Sequence, residues 1–222
     1  MNNKPQLKLV TPTSSPKSNA WVPLFPLNAV LFPNGILPLK VFETRYIDMI
    51  KECMKQETPF GVVLIKSGQE VGAPAEPEDV GCMAHIVQWD MEGLGILMLR
   101  TQGGERFRIL ATRVSADNRL EARIEMFAED DTSTITDVHM SCAKALKLVT
   151  DDINTKGRAE HGNAFESPFA LPLQFDNAGW VANRWCEILP IPLKARQKLL
   201  ELDNAQSRLA IVHQYLQQHR II

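Results

Sequence analysis

The chain has 222 residues, 45% of them hydrophobic, which is enough to bury the core of one large domain or two small ones. Its formal net charge of -2 and pI of about 6.2 argue against nucleic acid as a partner, because nucleic-acid binding normally needs a basic surface. The four cysteines form no CxxC pair, so we expect reduced thiols in a cytoplasmic protein and neither a zinc ribbon nor a disulfide framework.

Residues 1–19 are polar and rich in Pro, Ser and Thr, and they lack the apolar core of a signal peptide. They are predicted to be a flexible tail. The next stretch, Trp21 to Tyr46, is apolar enough to resemble a membrane span, since no charged residue lies between Lys17 and Lys40. Its four prolines would break the backbone hydrogen bonds of a lipid-facing helix, so no membrane segment is predicted.

Residues 20–129 are predicted to form a β domain. Pro33-Asn34-Gly35 has the composition of a turn and separates the apolar runs 28–32 and 36–41, which indicates a tight β-connection. Further strands are expected at 60–65, 80–89, 94–101, 105–115 and 119–127, with turns at Gly93 and at Gly103-Gly104. The last strand is the clearest, because apolar and charged residues alternate strictly along it.

One helix is expected among these strands. Its predicted inward face consists of Phe42, Tyr46, Met49, Ile50 and Cys53, which recur at helical spacing. Many short strands around one helix favour a closed or partly closed barrel.

Residues 130–222 are predicted to be a helical bundle. A long amphipathic helix is expected from Ile135 to Ile153, followed by an irregular segment at 157–175. A second helix should start near Asp176, and a third should follow Pro192 and end near Leu202. Asp203 is the predicted N-cap of the last helix, whose inward residues would be Leu209, Val212 and Leu216.

The sequence gives little support for catalysis. Ser141 and Lys144 match the SxxK pattern of penicillin-binding enzymes, but the SDN and KTG patterns that accompany it there are missing. His139 and Cys142 are two potential metal ligands, which is too few for a zinc site. His85 lies in an apolar strand, where a hydrogen-bonded histidine is commoner than a catalytic base. We therefore expect no catalytic residue, no cofactor and no metal.

The stretch PLFPLNAVLFPNGILPLKVFETRY, Pro23 to Tyr46, resembles the start of the Lon N-terminal domain family, the substrate-recognition domain of ATP-dependent Lon (La) proteases. The resemblance continues through FGVVLI, Val80-Gly81, GGERFRIL and WVANRWCEILPIPLKARQKLLELDNAQSRL, so it covers nearly the whole chain after the tail. It implies a PUA-like pseudo-barrel followed by a helical bundle. Full Lon proteases continue into an ATPase and a Ser-Lys peptidase domain; the absence of a Walker A motif predicts that this chain is not an ATP-dependent protease by itself.

The resemblance implies a non-catalytic binding module for exposed apolar polypeptide segments or for a specific protein partner, serving as an adaptor in protein quality control. The expected site is a groove on the barrel face or between barrel and bundle. Its candidate apolar anchors are Phe32, Met91 and Leu94, the last two in the turn-like WDMEGLG. The candidate polar anchors are Arg45 and Arg106. Arg45 also has a structural interpretation, in which it pairs with Glu43 or with a nearby carbonyl.

An alternative function is binding of nucleic acid or a small molecule, or an uncharacterised hydrolase activity, on the same fold. PUA-like barrels of other families bind RNA. The scattered arginines of this chain, at 100, 106, 108 and 113, favour the polypeptide-binding interpretation instead.

Overall fold

The computed structural model describes residues 20–92, 95–128 and 133–222. The chain is of the α+β class, as predicted, and divides into two compact units, Met1–Phe127 and Ala128–Ile222. We call them the β unit and the helical unit. The predicted tail at residues 1–19 lies outside the described residues, as does Gly93 of the predicted turn.

The β unit is a ring of strands with a helix. Its elements are β1 Val22–Leu27, β2 Ile36–Val41, α1 Thr44–Gln56, β3 Phe60–Ser67, β4 Glu76–Glu92, β5 Ile96–Val114 and β6 Leu120–Met126. β1 pairs in parallel with β3 and antiparallel with β6, and β4 lies between β3 and β5. Because the second half of β5 also pairs with β6, five strands close into a ring. β2 pairs with the first half of β5, so the architecture is the predicted partial barrel.

The glycine pair at 103–104 lies inside a strand. The predicted strands 94–101 and 105–115 are parts of one strand, β5, so the turn predicted at Gly103-Gly104 is wrong. A Cβ atom on Gly103 would lie 2.1 Å from the backbone oxygen of Phe32, and the register between β4 and β5 shifts opposite the pair. The glycines therefore mark a bulge that another backbone approaches closely, and not a chain reversal.

The Pro33-Asn34-Gly35 turn forms but does not join paired strands. Asn34 has a φ of 61°, and the Gly35 N–H donates to the Phe32 carbonyl. Residues 28–32 lie outside the strands, and β1 and β2 pair with different neighbours, so the predicted tight β-connection is wrong. The Asn34 N–H instead donates to the Gly103 carbonyl, and the Gly103 N–H donates to the Gly35 carbonyl, both at 2.8 Å. The turn thus pairs with the β5 bulge.

The core of the β unit consists of two apolar clusters, and β1 contributes to both. Val22 and Leu24 belong to one cluster, while Phe25 and Leu27 belong to the other, which contains the buried face of α1. That face consists of Tyr46, Met49, Ile50 and Cys53, as predicted. Phe42 differs from the prediction, because it precedes the helix and is 58% exposed.

The helical unit contains α2 Met140–His161, α3 Ala178–Ile188, α4 Leu193–Glu201 and α5 Ala205–Gln218. α2 begins later than predicted: Ile135 is buried but precedes it, and Val138 is exposed in a 3-10 turn. The N-cap of α5 is Asn204, whose side chain accepts from the Ser207 N–H, and not Asp203. The predicted inward residues of α5 are buried. None of the helices in the described ranges combines the length and apolar character that a bilayer crossing requires.

Buried arginines hold the helical unit together. Arg208 is fully buried and donates to the carbonyls of Leu199 and Leu202, at 2.9 and 2.7 Å. It also donates to the side-chain oxygen of Asn183 at 2.8 Å. Since the last carbonyls of a helix lack partners within that helix, Arg208 satisfies the C-terminal end of α4.

The segment predicted to be irregular, 157–175, begins inside α2. The helix continues through Gly157 to His161, and a Cβ atom on Gly157 would lie 2.0 Å from the ring of Phe165. The segment after α2 therefore returns along the helix and packs its aromatic ring on a position where only glycine fits.

Candidate functional site

A pocket lies on the β unit where the ends of β1 and β2, the start of α1 and the chain after β3 meet. Its volume is about 50 Å³. We call it the α1 pocket, and it is lined by Phe25, Leu27, Lys40, Val41, Phe42, Glu43, Tyr46, Glu70 and Val71.

The floor of the α1 pocket is part of the protein core. Phe25, Leu27, Val41 and Tyr46 are buried members of one apolar cluster, and the rings of Phe25 and Tyr46 stack with their centroids 4.3 Å apart. Core side chains are closely packed and change conformation little. The floor is therefore a preformed apolar surface.

Two large apolar side chains stand exposed at the rim of this pocket. Phe42 is 58% and Val71 52% exposed, although both line a cavity with an apolar floor. Single exposed apolar residues are common, but several around one concavity are typical of binding sites. The rim and the floor together offer a continuous apolar surface to a partner.

Charged groups surround the mouth of the pocket. Glu43 pairs with Arg45 at 3.0 Å, and the Glu70 carboxylate accepts from the Asn28 N–H at 2.5 Å. Burial raises the pKa of Tyr46; the Arg45 charge opposes this shift, and the carboxylates of Glu43 and Glu70 add to it. The charges of Arg45, Glu43 and Glu70 therefore all act on the pocket floor.

Arg45 anchors the start of α1. Its guanidinium donates to the carbonyl of Asn118 at 2.9 Å and lies 4.6 Å from the centre of the Tyr46 ring. Its side chain is only 9% exposed. Both contacts suggested by the sequence, the one with Glu43 and the one with a nearby carbonyl, are present. Farther along α1, Glu52 pairs with Arg119 at 2.7 Å, so the helix is tied at two points to the segment joining β5 and β6.

The other predicted anchors lie elsewhere. Phe32 is fully buried, and Arg106 is 3% exposed with its guanidinium 4.9 Å from the centre of the Phe127 ring. Met91 is 52% exposed near the end of β4, and Leu94 lies outside the described residues. None of Phe32, Arg45, Met91 and Arg106 is among the lining residues of the α1 pocket. Their contact with a partner stays a prediction.

The lining residues at the rim were missed for different reasons. Phe42 fits the helical repeat of α1 and was therefore assigned to its inward face, but the helix begins only at Thr44. Glu70 and Val71 lie in the connection between β3 and β4, where hydrophobic periodicity carries no information. The one sequence signal for this rim was Val71, an isolated apolar residue between Glu70 and Gly72.

The residues considered for catalysis or metal binding lie on β4 and around the start of α2. Lys144 is exposed on α2, and burial raises the pKa of Cys142 to about 11, which disfavours the thiolate that metals bind. His139 packs edge to face on His213, with the ring centres 5.1 Å apart. Burial lowers the pKa of His85, against the opposing charge of Glu105. Within the part of the chain that the structure describes, no group of three or more His, Cys, Asp or Glu residues is placed to hold a metal ion.

Comparison with known proteins identifies relatives for almost the whole chain. Residues 21–218 match the family model of the ATP-dependent protease La (LON) substrate-binding domain. The chain is 30% identical to Lon protease of Anaeromyxobacter dehalogenans over 206 residues, which are 91% of this chain and 24% of that protein. It is 27% identical to Lon protease 2 of Myxococcus xanthus, covering 90% of this chain and 24% of the relative. The chain thus spans about a quarter of the length of these relatives.

Solved structures show the same fold. The Lon N-terminal domain protein from Xanthomonas campestris aligns with a TM-score of 0.68 and 28% identity, over 87% of this chain and 96% of that one. The N-terminal domain of Mycobacterium avium complex Lon protease aligns with a TM-score of 0.60 over 90% of this chain and all of that one. At 14% identity, this second match concerns the fold alone.

Proposed function

Because the chain belongs to the substrate-binding domain family of ATP-dependent protease La (LON), we propose that it binds polypeptide segments with exposed apolar side chains, through the α1 pocket. The observation that carries this proposal is the exposure of Phe42 and Val71 at the rim of a pocket with a preformed apolar floor. The role is non-catalytic. In the cell, the protein acts as an adaptor that presents a bound client to a separate protease in protein quality control.

The size of the site implies weak, reversible binding. Complete burial of a fully exposed apolar side chain contributes about 1.5–3 kcal/mol, and Phe42 and Val71 are 58% and 52% exposed, so burying the rest of both supplies roughly 1.5–3 kcal/mol. Association itself costs about 4 kcal/mol or more. These two side chains alone therefore do not offset the cost of association, and apolar side chains of the client must add to the gain. A single short segment should bind weakly, which suits a protein that samples clients and releases them.

The charge of the barrel surface gives the nucleic-acid alternative little support. Arg113 pairs with Glu121 at 2.6 Å, and Arg119 pairs with Glu52 at 2.7 Å, so two arginines near the end of β5 already have acidic partners. Nucleic-acid binding depends on cations that neutralise phosphates.

Fluorescence anisotropy with a labelled, reduced and carboxymethylated polypeptide as the probe tests the proposal. The double variant Phe42→Ser/Val71→Ser should weaken binding at least about five-fold, since it removes the apolar rim. The matched control is Leu110→Ser/Val114→Ser, which removes two side chains of similar exposure, 61% and 51%, that do not line the pocket. Failure of the unaltered protein to bind, or equal loss in both double variants, would overturn the proposal.

A further inference from the structure

We propose that the α1 pocket selects a segment in which an aliphatic side chain stands next to a lysine or arginine, with the aliphatic group in the pocket and the cation at its rim. This inference rests on the proposed function and specifies the chemistry of the bound segment. Three observations carry it: the volume of the pocket, the fixed position of its floor, and the charge around its mouth.

The volume sets the size of the inserted side chain. The pocket volume of about 50 Å³ is the space open to the centres of water molecules, and one water needs about 10–15 Å³ of it, so the pocket holds about four waters, which is the room of one branched aliphatic side chain. The ring of a tryptophan is much larger and would need the pocket to widen. Selection between aliphatic and aromatic residues therefore depends on whether the floor can move.

The floor has little freedom to move. The Tyr46 ring stacks on Phe25 and also lies against the Arg45 guanidinium. Arg45 in turn donates to the Asn118 carbonyl, which holds the start of α1 in place. Inserting extra atoms into a packed core forces side chains and backbone to shift at a cost in free energy. Larger side chains should therefore be penalised.

The charge around the mouth favours a cation beside the inserted group. Two of the three charged lining residues are the carboxylates of Glu43 and Glu70, and the third is Lys40. Between Ala20 and Phe127 the chain carries 14 Asp and Glu against 11 Lys and Arg. A bound segment with a lysine or arginine next to the aliphatic residue gains attraction here, while an acidic neighbour is repelled.

Four peptides in a Gly/Ser background test the inference by isothermal titration at low salt. They carry Leu or Trp at the centre and Lys or Glu on both sides. We expect the Leu/Lys peptide to bind most tightly, exchange of Leu for Trp to weaken binding about ten-fold, and exchange of Lys for Glu to weaken it about three-fold. The unfolded polypeptide of the preceding section is titrated in parallel.

The variant Glu70→Gln tests how much the negative charge of Glu70 contributes to the preference for a lysine-flanked peptide. The amide oxygen of Gln still accepts from the Asn28 N–H, so the loop keeps its contact while the charge is lost. We expect the preference for Lys over Glu to shrink by about half and the preference for Leu over Trp to remain. Glu125→Gln, an exposed change on β6 outside the pocket lining, should leave both preferences unchanged.

The outcomes separate the two proposals. If the unfolded polypeptide binds but all four peptides bind alike, or the Trp peptide binds best, the selectivity is overturned while the proposed function stands. If neither the polypeptide nor any peptide binds, the proposed function fails and the selectivity fails with it. If Glu125→Gln changes the charge preference as much as Glu70→Gln, the charge effect is not local to the pocket and that part of the inference is overturned.

Discussion

The two units of this protein place their polar and apolar groups in different ways. Among the described residues, the buried polar side chains of the β unit are Thr101 and Arg106, whereas those of the helical unit are Thr150, Asn183, Arg184, Gln197 and Arg208. Both units expose large apolar side chains, for example Leu148 and Leu171 in the helical unit, but Phe42 and Val71 of the β unit lie together at the rim of the α1 pocket. The helical unit is thus held by buried polar side chains, and the β unit combines exposed apolar side chains with a pocket.

The reason lies in how each unit satisfies its backbone. Strands in a ring pair their N–H and C=O groups with neighbouring strands, so the interior of the β unit needs few polar side chains. Each helix of the helical unit leaves carbonyl groups at its C-terminus without partners inside that helix. Arg208 serves α4, and Arg196 donates to the Leu189 carbonyl just after α3 at 3.0 Å. Arg208 and Arg196 therefore have a structural role in the helical unit.

The largest expected effect is the difference in thiol reactivity between the native protein and the unfolded chain. Because each unit contains two cysteines, this difference can be followed in each unit separately. Cys53 and Cys82 are buried in the β unit, and Cys142 and Cys186 in the helical unit. Burial raises the pKa of Cys53 and Cys142 from 9.0 to about 11, which lowers the thiolate fraction at neutral pH about 100-fold. We expect the native protein to react with none of its four thiols within minutes, and the unfolded chain to react with all four.

Mass spectrometry after labelling identifies which cysteines react first as denaturant is added. Fast labelling of Cys142 in the native protein would contradict the close packing of α2 on α3, where Trp185 donates to the Cys142 carbonyl at 3.0 Å.

Replacing Arg208 should be the most damaging single change. Arg208→Ala leaves the carbonyls of Leu199 and Leu202 and the Asn183 side chain without this donor. Each buried acceptor left unsatisfied costs about 1–3 kcal/mol, so the free energy of unfolding of the helical unit should fall by at least about 3 kcal/mol. Urea titration followed by circular dichroism measures the change.

Arg208→Lys is the matched control for this loss. It keeps the charge but lacks the forked guanidinium, so it should recover only part of the stability. Full recovery by lysine would show that charge alone, and not the three directed hydrogen bonds, stabilises this unit.

Gly103→Ala tests the close approach of two backbones in the β unit. The added Cβ would meet the Phe32 carbonyl oxygen, and we expect a loss of about 2–3 kcal/mol. Its neighbour provides the control: the Cβ of Gly104→Ala would meet the His85 ring, a side chain that can turn away, and should cost about 1 kcal/mol. Equal losses in the two variants would argue against the pairing of the 33–35 turn with the β5 bulge.

Arg45→Ala should have the smallest effect of this series. It removes the hydrogen bond to the Asn118 carbonyl and the ion pair with Glu43, which together contribute about 1–2 kcal/mol. At roughly 4–8 °C per kcal/mol for a domain of this size, the melting temperature should fall by at least about 4 °C. Unchanged melting together with lost peptide binding would instead make Arg45 a contact for the partner.

The sequence predicted the parts of this molecule that depend on local periodicity. The alternation along β6 and the inward faces of α1 and α5 are present because hydrophobic spacing directly reflects burial. The glycine pair at 103–104 was misread because a turn and a bulge use the same residue, and only the approach of Phe32 from far along the chain distinguishes them. The buried arginines were missed for a similar reason, since their carbonyl partners lie on other turns and helices.

The candidate site was the least predictable feature. The anchors chosen from the sequence were apolar or cationic residues near motifs, yet two of them, Phe32 and Arg106, are buried. The α1 pocket combines residues from two strands, a helix start and a loop, and no spacing along the chain brings Phe25, Phe42 and Val71 together. Only the tertiary structure of the β unit does so.

Amide chemical-shift mapping on the full chain, titrated with the Leu/Lys peptide, tests the central claim most directly. If the α1 pocket is the binding site, the largest shifts should fall on residues 25–27, 40–46 and 70–71, and they should disappear in Phe42→Ser/Val71→Ser. Shifts confined to other residues of the β unit or to the helical unit, with binding retained in the double variant, would contradict it.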